Sequence, residues 1–364
     1  MAHLLGVPFG GALLTIYTVQ NLIKPPMLSP GDRVATVSLS WGGAGDPEVL
    51  WRYNQGKQRL QDAFGLEIVE MPNTLAGSDY LYQHPEARAA DLMAAFADPS
   101  IKGIITNIGG DDTLRLLPHI DFSVIRDNPK VFMGYSDTTV NHFMCLKAGL
   151  SSIYGPAVLS DFAENLELPE YTYNWVHKTL FSTEPLGEIP TAPVWTSQYL
   201  EWADEDTKDI MRKFEPNTGI ETVQGSGSVT GSLIGGCIEV VDWIRGTPLF
   251  PDASEFDDSI LFFETSEDVP TPDNLLFMLR SLAALDVLPR ANGLIFGKPY
   301  DNMYYDEYKA EIVKVLAECG RTDMPVLYNL SFGHCEPKFC LPYGARAQID
   351  CENQTFSILE SGVA

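Results

Sequence analysis

The sequence predicts an α/β protein whose parallel sheet is covered by helices on both faces, in a chain long enough for two domains. Three observations carry this reading. Short apolar runs alternate with helical patterns between Val34 and Tyr154, which is the order of a parallel sheet with crossover helices. The length, 364 residues, corresponds to about two domains. Between Phe181 and Gly225 the texture changes, with Pro185, Pro190, Pro193 and Pro216 breaking it up, before strands and helices resume.

The elements follow in order. Residues 1–23 read as an N-terminal extension outside the main fold, mildly apolar from Leu4 to Tyr17. No Lys or Arg precedes that run and glycines interrupt it, so neither a secretory signal nor a membrane span is expected. Pro25 and Pro26 open the folded part, and Val34 to Leu39 is the first strand. Asp46-Pro47 is an N-cap with proline at the first helical position, and Leu50, Tyr53, Leu60 and Phe64 mark one helical face up to Gly65. Leu66 to Met71 is the second strand, Pro85 starts the next helix, and Gly103 to Ile108 is the third strand. Val131 to Tyr135 is the fourth, followed by a helix to Ala148 and Gly149, and Ser152 to Tyr154 forms a fifth.

The fourth strand leads into Gly134-Tyr135-Ser136-Asp137-Thr138. An apolar strand, a sharp turn and a helix start would push the Ser136 hydroxyl out of the sheet. The first backbone N–H groups of the helix would then point at whatever that hydroxyl attacks. The full Gly-x-Ser-x-Gly elbow fails at Thr138, and a serine that merely caps the helix would give the same pattern. Ligands of parallel sheets bind beyond the carboxyl ends of the strands. Ser136 lies at one such end and Ile108-Gly109-Gly110-Asp111-Asp112 at another, where paired glycines admit a close backbone approach.

Residues 181–225 read as a connecting segment with aromatic cargo, Trp195, Tyr199 and Trp202. The tryptophans either contact substrate or pin the segment down. The glycine-rich run Gly225 to Gly236 lacks the Gly-Lys-Ser/Thr of a phosphate loop, and Thr230 stands at the third glycine of a dinucleotide fingerprint. It reads as a strand leading into a helix from Cys237 to Arg245. Ser259 to Glu264 is an apolar strand ending on a carboxylate, Thr271-Pro272-Asp273 starts a helix, and Gly293 to Gly297 is a strand. Tyr304 to Gly320 is a helix, Val326 to Asn329 a strand, and Ala345 to Leu359 a closing hairpin turning near Glu352-Asn353.

The net charge is −25, so nucleic-acid polymers and anionic membranes are poor partners. Six scattered cysteines fit reduced thiols in a cytoplasmic protein. A zinc site takes about four ligands. Cys335 and Cys340, next to His334, have no second pair at metal spacing, so no metal and no cofactor are expected. A serine nucleophile needs a base and the base an orienting acid. Of six histidines, His334 alone follows a strand and precedes a proline-bounded loop. Glu264 is the best acid, because a charge closing an apolar strand is costly unless partnered; Asp268 is the next candidate.

These pieces, taken together, resemble the LD-carboxypeptidase family of serine peptidases, and within it most closely the microcin C self-immunity branch. The matching stretches are Lys24-Pro25-Pro26, Ile108-Gly109-Gly110, Gly134-Tyr135-Ser136-Asp137, Tyr154-Gly155-Pro156-Ala157, Gly231-x-x-Ile234-Gly235-Gly236, Leu261-Phe262-Phe263-Glu264, Leu294-Ile295-Phe296-Gly297-Lys298, and His334 followed by Leu341-Pro342-x-Gly344. They run in family order over nearly everything after Leu22.

The resemblance implies an α/β domain over 24–180 that carries the nucleophile, and a β-rich C-terminal domain with flanking helices over 226–364. It implies Ser136 as nucleophile, His334 as base and Glu264 as its orienter. Backbone N–H groups of Gly110 and Asp137 would form the oxyanion hole, with Gly109, Asp111, Trp202 and Trp195 as further substrate contacts. Trp202 is the stacking residue and Trp195 the anchor. It also implies a homodimer without metal. The substrate would be a small peptide or an aminoacyl-nucleotide with an acidic acyl group, cleaved at an amide for detoxification or self-immunity. The alternatives are trimming of murein tetrapeptides and an inactive binding protein of the same fold. One departure is Glu267, where the immunity branch has a lysine; it puts a phosphate contact in doubt.

Overall fold

The protein is described by a computed structural model covering residues 18–364. The chain forms the expected α/β fold, with a mostly parallel N-terminal sheet and a sheet-rich C-terminal half. The strands of the first half are β1 (Arg33–Val37), β2 (Glu67–Glu70), β3 (Ile101–Thr106), β4 (Val131–Gly134) and β5 (Ile153–Tyr154). They lie in the order β5-β4-β3-β1-β2, all parallel. Helices Leu50–Phe64, Pro85–Ala97 and Thr139–Ala148 cover the faces. Every residue of β4 is buried, as its apolar composition requires.

Local chemistry explains the boundaries. Gly65 stops the first helix in the left-handed conformation, and Pro85 opens the next at its first turn. The expected cap at Asp46 is corrected: the first helix starts four residues later, at Leu50, and Asp46 Oδ1 accepts from the Ser78 N–H at 2.8 Å. The carboxylate holds the short helix Ser78–Gln83, which the sequence reading did not include.

The second half contributes β6 (Gly187–Glu188), β7 (Val194–Trp195), β8 (Glu215–Pro216), β9 (Glu221–Gln224), β10 (Ser228–Cys237), β11 (Ser259–Glu264), β12 (Gly293–Gly297), β13 (Val326–Leu330), β14 (Leu341–Pro342), β15 (Arg346–Asp350) and β16 (Thr355–Ile358). Its eight-stranded sheet has the order β6-β16-β15-β10-β11-β12-β13-β9. The centre, β10 to β13, is parallel and the outer pairs are antiparallel. The segment read as a connector supplies both edges of this sheet, through β6 and β9. Two- and four-residue strands held by main-chain bonds leave no side-chain alternation to read.

The halves are stitched together. β14 leaves the second half and pairs antiparallel with β5, extending the first sheet. Of the expected N-terminal extension, residues 1–17, His3 included, lie outside the described residues. From Thr18 onward the chain is held on the fold: Val19 is buried and its N–H donates to Glu255 Oε2 at 3.0 Å, and Ile23 bridges Leu150. No helix among the described residues is long and apolar enough to cross a membrane.

A buried ionic chain crosses the same seam. Lys338 Nζ lies 3.1 Å from Asp161 and 3.4 Å from Glu336, with both Lys338 and Asp161 almost fully enclosed. Arg212, from the connecting segment, reaches Glu336 at 3.0 Å and pairs with Glu164. Removing one member of such a group strands the others without water. Lys338→Met is therefore expected to cost about 3–5 kcal/mol in urea unfolding, and adding Asp161→Asn to recover part of the loss. A loss under about 1 kcal/mol would mean the chain does not hold the halves together.

Candidate active site

The turn after β4 is tight enough to put Ser136 at a backbone φ of 62°, the left-handed region that a side chain rarely adopts. Such a residue costs on the order of 1–3 kcal/mol and persists only when its surroundings over-determine it. They do so here. Residues Ser136–Thr138 form one tight turn, and the helix Thr139–Ala148 continues from it. Asp137 is buried, and its Oδ2 accepts from Ser40 Oγ at 2.7 Å and from the Thr113 N–H at 2.9 Å. One carboxylate thereby ties the loops after β1 and β3 to the turn after β4. Burial pushes its ionisation upward against those hydrogen bonds. Gly109 completes the cradle: a Cβ there would lie 2.9 Å from Ser136 Oγ.

Three groups then line up in series. His334 Nε2 is 3.0 Å from Ser136 Oγ, and His334 Nδ1 is 2.6 Å from Glu264 Oε2. Glu264 closes β11 and is fully buried, with its other oxygen accepting from the Tyr154 hydroxyl at 2.5 Å. That same hydroxyl accepts the Ser136 N–H at 3.1 Å. Gly333 is the position that permits the approach, because a Cβ there would meet Glu264 Oε2 at 2.5 Å. With Nδ1–H donating to the carboxylate, Nε2 presents a lone pair to the serine hydroxyl. This arrangement can draw a proton from Ser136 and hold the resulting imidazolium.

The electrostatics are those of a buried pair. Burial works against a charged His334, but Glu264 and then Glu267 outweigh it and raise the imidazole to about 9. Burial also opposes the Glu264 carboxylate, and His334 outweighs that, leaving it below its usual range. Lys338 lies 3.6 Å above the Tyr135 ring, whose edge packs on His334 with centroids 5.0 Å apart. Its charge opposes protonation of the histidine from that side. Glu267, the departure noted in the sequence, extends its Oε2 to 3.1 Å from His334 Nε2.

Two cavities meet at Ser136. One, of about 510 Å³, is walled by Trp41, Arg52, Tyr199, Trp202, Arg212 and Tyr300, and Gly109 and Gly110 lie at its serine end. The Trp41 and Trp202 rings stand 6.3 Å apart at 31°, and the Arg52 guanidinium lies 4.9 Å over Trp202. The other cavity, of about 450 Å³, takes in Gly110, Asp111 and Glu267. Trp195 lines neither; it is buried, with the Lys298 ammonium 4.5 Å from its ring. Trp41, Arg52 and Tyr154 were not singled out from the sequence as site residues. Trp41 and Tyr154 follow or end parallel strands at their carboxyl ends, the signal that selected Ser136. Arg52 carried no signal, because it sits on a helix face. Among the described residues no group of three or more His, Cys, Asp or Glu is placed to hold a metal ion.

Comparison with known proteins gives the same outline. The family models for the LD-carboxypeptidase N-terminal and C-terminal domains match residues 34–155 and 230–349. The microcin C7 self-immunity protein MccF of Escherichia coli is 31% identical over 315 residues, 85% of this chain and 88% of that protein. A structure titled as MccF in complex with glutamyl sulfamoyl guanosine is 26% identical, superposes with a TM-score of 0.80, and covers 94% of this chain and 100% of that one. An MccF-like protein from Streptococcus pneumoniae in complex with AMP is 34% identical with a TM-score of 0.83, over 90% and 98% of the two chains. A Bacillus subtilis protein named "Probable murein peptide carboxypeptidase" is 26% identical over 94% of this chain and 95% of its own length.

The raised His334 has a consequence for stability. The folded protein binds this proton more tightly than the unfolded chain, whose imidazole titrates near 6.5. The stabilisation is complete below 6.5 and is lost as pH rises through about 9. Urea unfolding of the wild type should lose stability across that window, and His334→Ala should lose less across it. Parallel pH profiles for the two proteins would contradict the assignment.

Proposed function

The chain belongs to the LD-carboxypeptidase family, and from that premise we propose that it is a serine hydrolase cleaving the amide bond of a small aminoacyl-nucleotide. The observation that carries the reading is the aromatic-walled cavity opening directly on Ser136, with the tilted ring pair of Trp41 and Trp202 in its wall. Indole faces stack on nucleobases, at about 1–3 kcal/mol per base. The relatives crystallised with AMP and with glutamyl sulfamoyl guanosine support this choice of leaving group.

The proposed reaction proceeds through an acyl-serine. Ser136 Oγ attacks the amide carbonyl carbon while His334 Nε2 takes the hydroxyl proton, and Glu264 stabilises the imidazolium that forms. The carbonyl oxygen becomes an oxyanion that accepts from the backbone N–H groups of Gly110 and Asp137. The imidazolium returns its proton to the leaving nitrogen and the C–N bond breaks. Water, deprotonated by His334, then attacks the acyl carbon and frees Ser136. Tyr154 belongs to the same machinery as a positioning residue, since it holds Glu264 and the Ser136 N–H at once. The homodimer implied by the resemblance belongs to this reading and is checked by sedimentation. The cytoplasmic location does too, and the six unpaired cysteines suit it.

Two substrates test the reading, an aminoacyl-sulfamoyl adenosine and a murein tetrapeptide. Trp202→Ala should lower kcat/KM on the first by about 5- to 150-fold and barely change the second, which has no base to stack. Equal losses on both, with a lower Tm, would make Trp202 an anchor and move the chain to the murein reading. Turnover of neither substrate by the wild type would favour a binding protein of the same fold.

A further inference from the structure

Glu267 lies in the turn between β11 and the helix Pro272–Ala284, three residues beyond Glu264. It is one of three residues, with Gly110 and Ser136, that line both cavities, so it stands at their junction beside the serine. Its side chain is 60% exposed, so its carboxylate can change partners with little desolvation cost. His334 Nε2 is hydrogen-bonded to Ser136 Oγ at 3.0 Å and lies in ion-pair range of Glu267 Oε2 at 3.1 Å. The nitrogen carries either a lone pair or a proton. With a lone pair it accepts from the Ser136 hydroxyl; with a proton the imidazolium is held as an ion pair by the Glu267 carboxylate. Only the first arrangement prepares the serine for attack.

We infer that Glu267 is a specificity-determining residue that receives the ammonium group of the substrate's acyl residue and, in doing so, releases His334 to Ser136. The inference rests on the aminoacyl-nucleotide reading above. The surroundings supply the complementary field. The second cavity is also lined by Asp111, Asp242 and Asp268, and its one Lys or Arg, Arg245, is paired with Asp242 at 2.6 Å. A cation entering between Ser136 and this cavity meets unpaired carboxylates, whereas an acidic acyl side chain meets like charge. The other groups around His334 cannot make the exchange. Glu264 is buried on Nδ1, Lys338 acts through the Tyr135 ring, and the Tyr154 hydroxyl and buried Glu239 reach the histidine only by way of Glu264.

Two measurements test it. In protein labelled with [15N]histidine, the His334 titration midpoint should fall in Glu267→Gln, and an unchanged midpoint would overturn the hold on His334. In a Ser136→Ala background, calorimetry would compare alanyl-sulfamoyl adenosine with its N-acetyl derivative. The free amine should bind about tenfold more tightly, and Glu267→Gln should erase the difference. Equal affinities, or a preference that survives Glu267→Gln, would overturn the inference alone. Binding of neither compound would overturn the aminoacyl-nucleotide reading and this inference with it.

Discussion

A carboxylate with no access to water must be fully partnered, and Glu264 is that group in this fold. It ends a central strand of the second sheet and is satisfied by His334 on one oxygen and by Tyr154, from the first sheet, on the other. The two halves cannot part without stranding it. The same contacts orient the imidazole toward Ser136 and hold the serine's own N–H. Cohesion of the halves and geometry of the site thus rest on one buried charge. The ionic chain through Lys338, Asp161, Glu336 and Arg212 runs along the same seam, below Tyr135.

The strain at Ser136 fits this arrangement. A left-handed serine is held by Asp137, which collects the loops beyond β1 and β3, and by Gly109, whose missing side chain leaves room for the hydroxyl. On either side of that fixed point the molecule offers different chemistry, aromatic rings with Arg52 and Arg212 in one cavity and carboxylates in the other. Glu267 stands between them and touches the imidazole. A chain with a strongly negative surface can therefore take a small charged ligand, because recognition is local.

Much of this was legible in the sequence for physical reasons. β4, β11 and β12 are continuous apolar runs bounded by glycine or a charge, the pattern of strands buried on both faces. Ser136 and Glu264 stood out because each follows or ends such a run. His334 stood out by elimination, at a strand end. The strands β6, β9 and β14 escaped notice because two to four residues, proline among them, carry no period, and they exist through partners distant in sequence. Trp41 and Tyr154 escaped because their importance comes from what they face. Tyr154 reads as one residue of a short strand until Glu264 is brought to its hydroxyl. Lys338 gave no sign of being buried, since a lysine between two cysteines looks like any other surface charge.

The central claim is that Ser136 and His334 act as one unit across the seam, and the most direct measurement is kcat on an aminoacyl-sulfamoyl adenosine for Ser136→Ala, His334→Ala and the double variant. Groups that share one proton transfer lose their function together. The account predicts losses on the order of 10⁴-fold or more for each single variant and no further loss in the double. A Ser136→Ala protein that retains more than about a tenth of the wild-type kcat, or losses that multiply in the double variant, would contradict it.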